Sequence, residues 1–169
     1  MAYCIKNQIL KSKVYYFPEW AIVGPGYICI RYEFAQKEKI KVCKNPEEAD
    51  TSIVEKVYNK LPEIVARVSD SPKIEKSIFT HDGPEMWDDS YFVWRIQVDK
   101  DKIYEFDAEQ VGWILHRLRG KRLKWHLIPW INSQGILVFT NAFDSKDAYA
   151  MITCSYSSER EKIMNAVGR

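Results

Sequence analysis

Apolar residues recur at every second position over several short stretches of this chain, and at helical spacing over three longer ones. In "WAIVGPGYICIRYEF", Ile28, Ile30, Tyr32 and Phe34 fall on one face, and Tyr27, Cys29, Arg31 and Glu33 on the other. That alternation predicts a strand running to Phe34, preceded by a turn at Val23–Gly26 and further strands in "WAIV" and "KVYYF". "YFVWRIQV" alternates Phe92, Trp94, Ile96 and Val98, turns at "DKDK" and returns as "IYEF", a hairpin. A second hairpin joins "RLKWHLIPWI" to "GILVFTN" across "NSQ". In it Leu123, Trp125 and Leu127 face one way, with Lys124 and His126 pointing outward the other way. Pro129 marks an edge strand, because it cannot donate to a ladder. "DAYAMITCSY" predicts one more strand, with Cys154 on its apolar side.

The helical pattern is clearest after "NPEE". Asn45 can cap, Pro46 suits the first turn and Glu48 completes a capping box. The apolar face then runs Ile53, Val54, Val57, Tyr58, Leu61, Ile64, Val65 and Val68, in phase across Pro62, which predicts one long kinked helix. A second helix starts at Asp107, with Gln110 three residues on. It buries Val111, Ile114, Leu115 and Leu118 and stops at Gly120. A third opens at Ser158 and Glu161 and ends at Gly168. Helices do not alternate with single strands, so a doubly wound parallel sheet is excluded. The predicted fold is α+β: a largely antiparallel sheet of hairpins carrying one long kinked helix and two shorter ones, in a single domain over residues 1–169.

Composition changes this picture in one respect. Apolar and charged fractions of 46% and 28% are ordinary for a globular chain, but six Trp, ten Tyr and seven Phe are many. Most suit a β-rich core; any that are exposed would form a contact surface. The four cysteines lie far apart, without zinc or redox spacing, and no stretch reads as a signal peptide or membrane span. The expectation is a cytoplasmic protein with free thiols, Cys29 being the exposed and reactive one.

Net charge is only +2, but it is unevenly spread. Residues 82–109 hold nine acids against three cations, and residues 110–169 hold nine cations against four acids. The basic part peaks in "HRLRGKRLKWHLIPW", where Arg117, Arg119, Lys121, Arg122 and Lys124 are interleaved with Trp125, His126 and Trp130. Cations beside rings suit nucleic acid: charge follows the phosphates while bases stack. His116 and His126 flank this stretch and could serve as general acid and base on a phosphodiester. The acidic segment "THDGPEMWDDS" offers Asp82, Glu85, Asp88 and Asp89 as a surface for a basic partner. The same loop could hold a divalent metal on His81, Asp82, Asp88 and Asp89, giving a metal-dependent hydrolase or nuclease. No phosphate-binding glycine loop, dinucleotide fingerprint or nucleophile elbow is present, which disfavours kinases, NTPases, dehydrogenases and serine hydrolases. No resident cofactor is expected beyond such a metal.

The sequence therefore predicts a non-enzymatic binding protein that docks on nucleic acid or on a nucleic-acid-binding protein. Split charge of this sort fits inhibitors of nucleoprotein machines, such as those of phages and mobile elements. A module that binds another protein through exposed aromatics is the remaining expectation.

Overall fold

The computed structural model describes residues 14–23, 28–35, 51–71, 79–80, 93–99, 102–130, 134–154 and 156–157. Ten strands and three helices lie within them. The first hairpin is β1 (Val14–Tyr16) and β2 (Trp20–Val23), followed by β3 (Ile28–Arg31) and a single helical turn, α1 (Tyr32–Ala35). Helix α2 (Thr51–Val68) leads to β4 (Phe79–Thr80), β5 (Val93–Asp99) and β6 (Lys102–Asp107). Then come α3 (Ala108–Arg117), β7 (Leu123–Pro129), β8 (Gly135–Asn141), β9 (Asp144–Thr153) and β10 (Tyr156–Ser157).

All pairings are antiparallel. The large sheet has the order β1-β2-β3-β9-β8-β7, and the small one β10-β6-β5-β4. Both predicted hairpins form, as β5–β6 and β7–β8, and β7 with Pro129 is the terminal strand of its sheet. The α+β class is thus seen directly.

The large sheet is covered on both sides, and strand alternation sorts its residues between two cores. Val23, Ile30, Leu137, Phe139 and Ile152 pack with Val111 and Ile114 of α3 and with Ile96, Tyr104 and Phe106 of the small sheet. Ile22, Cys29, Ile128, Val138 and Met151 point the other way, onto Val54, Leu61, Ile64 and Val68 of α2. Two-sided burial explains why β8 reads as an unbroken apolar run rather than an alternating one; Gly135 through Thr140 are all buried. Gly135 is required by close approach. A Cβ there would lie 2.6 Å from Cδ1 of the Tyr104 ring, which the small sheet lays across the start of β8.

Three expectations change. The strand predicted to Phe34 ends at Arg31. There the Tyr32 N–H donates to the Glu19 carbonyl (2.9 Å), and the chain coils so that Phe34 and Ala35 enter the core. Cys29 is not an exposed thiol. It sits under α2, and burial pushes it up to about 12, so it is protonated and inert at neutral pH. Helix α2 keeps the predicted face with Pro62 inside it, but Ile53 is exposed. Cys154 does lie on the apolar side, half-buried against the first core, its Sγ accepting from the Gly135 N–H at 3.1 Å. The capping box at Asn45, the helix at 158–168 and the acidic loop lie outside the described residues.

Candidate basic surface and adjoining cleft

The basic stretch begins where α3 ends. Asp107 caps that helix, its Oδ1 accepting from the N–H groups of Glu109 (2.9 Å) and Gln110 (3.1 Å). The far end unwinds after Leu118 through Gly120, whose φ of 83° few other residues adopt comfortably. This unwinding throws Arg119, Lys121 and Arg122 into solvent, where all three are exposed. Among the described residues, none of the three has a carboxylate within ion-pair distance.

The other predicted contact residues go elsewhere. Arg117 turns inward and is buried; its Nη1 donates to the Phe34 carbonyl at 2.9 Å, and its guanidinium lies 4.6 Å from the Trp113 ring centre. It locks α1 to α3 and is not available to phosphate. His126 is also buried, not outward: α2 covers its face of the sheet. Its Nδ1 lies 3.3 Å from Ser71 Oγ and its Nε2 3.3 Å from Thr140 Oγ1. Trp125 is half-buried between Phe139 (4.8 Å) and Trp94 (5.5 Å). Trp130 packs by the second core with the Arg67 guanidinium 4.7 Å from its ring, and Lys124 is half-buried. His116 stays exposed on α3, on the opposite side of the large sheet from His126, so the two histidines do not form a site. His81, Asp82, Glu85, Asp88 and Asp89 fall outside the described residues, among which no His/Cys/Asp/Glu cluster could hold a metal.

Sequence reasoning missed one residue. Phe143 stands 78% exposed at the tip of the β8–β9 hairpin, beside Arg122, whose guanidinium lies 5.9 Å from the ring centre. The tip is held in shape. Asn141 Oδ1 accepts from the Phe143 N–H (3.0 Å), and Asn141 Nδ2 donates to Asp147 Oδ2 (3.2 Å). Asp144 Oδ1 accepts from the Lys146 N–H (3.0 Å), and the Ala142 N–H donates to the Arg122 carbonyl (2.9 Å). The signal was present in "TNAFDSKD": a large apolar residue set between two turn-forming Asx side chains cannot reach a core. Lys121 lies beside two other rings, its Nζ 5.8 Å from the centre of Phe34 and 6.0 Å from that of Tyr149. Burial, with the Asp147 carboxylate second, raises the Tyr149 phenol above its ordinary value, so it stays a neutral donor.

A cleft of about 780 Å³ opens where the β1–β2 turn, the end of β3 and the start of β9 meet α2. Leu61, Pro62 and Val65 form its apolar wall, with Trp20 at its base. Glu19, Arg31 and Lys146 bring charge to it. Arg31 is loosely held, 3.8 Å from Asp147 and 4.0 Å from Glu33. Glu19 and Lys146 have no ion-pair partner among the described residues. Glu19 also has a φ of 67°, the left-handed region. Pro18 before it and the Phe17–Trp20 hydrogen bonds make this a type II pattern, in which that position favours glycine. A glutamate there costs about 1–2 kcal/mol.

Comparison of the chain with protein-family models, with curated proteins and with solved structures finds no match to any of the three. No helix among the described residues is long and apolar enough to cross a membrane.

Proposed function

We propose that this is a non-enzymatic binding protein for single-stranded nucleic acid, with Arg119, Lys121 and Arg122 on phosphates and Phe143 as a stacking ring. One observation carries the reading: three exposed cations without acidic partners among the described residues fall within four positions of the chain, and one of them, Arg122, lies 5.9 Å from the centre of a ring that is 78% exposed on a hairpin tip. A flexible tip would lose ordering entropy on binding; this one is fixed beforehand by its Asx hydrogen bonds. A base gains about 1–3 kcal/mol by stacking on an aromatic side chain. The acids Asp82, Glu85, Asp88 and Asp89 supply a second surface in this reading, for the basic channel of a nucleoprotein partner.

The test is a fluorescence-anisotropy titration of a labelled single-stranded oligonucleotide at several salt concentrations. Three phosphate contacts give a log–log slope of about −2 on single strands. Phe143→Ala weakens binding by about 1–3 kcal/mol with the slope unchanged, whereas Arg122→Ala lowers the slope by about 0.7. Absence of binding at low salt overturns the proposal. Salt-tolerant capture of a protein that depends on Phe143 would favour the alternative of a protein-interaction module, since an exposed ring serves either partner.

A further inference from the structure

We infer that the cleft beside α2 is a second binding site, whose ligand is a small apolar zwitterion: an apolar amino acid or short peptide with free ammonium and carboxylate ends. Its volume, about 780 Å³, is in the range of small-molecule sites. Leu61 and Pro62 give apolar contact area, and Trp20 adds an aromatic edge. The charges specify the rest. Glu19 is an acid without a cation partner among the described residues, and Lys146 a cation without an acid. A ligand carrying both signs satisfies both.

The backbone adds an independent argument. Glycine would relieve the φ of 67° at position 19, yet the chain places a carboxylate there, lining the cleft. The turn has no need of that side chain; its geometry is held by Phe17–Trp20 backbone bonds, the Tyr32 N–H on the Glu19 carbonyl and the Tyr58 hydroxyl on the Pro18 carbonyl. Local charge then decides between ligand classes. Of the lining residues, Glu19 is the acid and Arg31 and Lys146 are the cations, and Arg31 already has Asp147 at 3.8 Å and Glu33 at 4.0 Å. That leaves one acid and one uncommitted cation to face a ligand, a pattern that a zwitterion matches and a phosphate dianion does not.

Titration calorimetry with the dipeptide Leu-Phe, its N-acetyl and C-amide forms, and cytidine monophosphate tests this. Leu-Phe binds, and blocking either end weakens binding about tenfold or more, the loss expected for a charge-assisted hydrogen bond. In Glu19→Gln the acetyl penalty disappears, and in Lys146→Met the amide penalty shrinks. The ligand series on the unaltered protein stands even if a variant fails to fold. No heat with Leu-Phe at millimolar concentration, equal binding of free and blocked peptides, or binding of the nucleotide in place of Leu-Phe would each overturn the inference. The oligonucleotide titration reads a different surface, so either proposal can fail alone.

Discussion

Replacing Glu19 by glycine should make the protein more stable. The wild-type residue holds a φ of 67°, where the left-handed conformation costs a β-carbon-bearing residue about 1–2 kcal/mol. Glycine removes that strain but has a freer unfolded chain, which offsets about 0.5–1 kcal/mol. The Glu19 carboxylate contributes no ion pair among the described residues, so little else is lost. The net expectation is a gain of about 0.5–1 kcal/mol, or roughly 1–4 °C in Tm for a chain of this size. Urea unfolding of wild type, Glu19→Gly and Glu19→Ala measures it. Alanine keeps the strain and lacks the carboxylate, so it should sit near wild type. A Glu19→Gly protein less stable than both would show that the side chain itself holds the turn, and would remove the backbone argument for the cleft.

Gly135→Ala should destabilise by about 1–3 kcal/mol, because its Cβ meets the Tyr104 ring at 2.6 Å; adding Tyr104→Ala should leave a double mutant less unstable than the sum of the singles. Cys29 keeps its proton in the fold up to about pH 12 against 9.0 for an unburied thiol, so its contribution is intact below about pH 9. As pH rises from 9 toward 12 the unfolded thiol ionises first, and stability falls by up to about 1.4 kcal/mol per pH unit. Urea midpoints from pH 8 to 10.5 should decline less steeply for Cys29→Ala than for wild type; parallel declines would refute that origin. Leu137→Ala, in the strand buried on both faces, should cost about 2–5 kcal/mol by the same unfolding assay, and a smaller loss would mean the cavity collapses.

Local signals made much of the fold legible. The Asp107 cap, the two later hairpins and the α2 face each depend on residues a few positions apart, and periodicity reports those. What periodicity cannot report is the layer on top of a face. Alternation puts Cys29 and His126 on the correct sides of their strands, yet both read as solvent-facing, because nothing nearby in sequence shows that α2 covers them. Arg117 fails for the same reason: its acceptor, the Phe34 carbonyl, is 83 residues away. The candidate surface suffered accordingly. Charge density picked out Arg119, Lys121 and Arg122, but a run of cations does not say which of them the core recruits, and an exposed ring contributed from another hairpin leaves no mark in that run.

The pairing of β3 with β9 also sets an order of events during synthesis. Ile28 takes Ile152 as its partner, so the first three strands emerge from the ribosome with their inner edge open and must wait for nearly the whole chain. Such long-range closure folds slowly, and an open edge with apolar faces is what aggregates during the delay. Expression that is interrupted before residue 152 should therefore yield insoluble fragments, while in the finished chain β3 is paired on both sides, between β2 and β9.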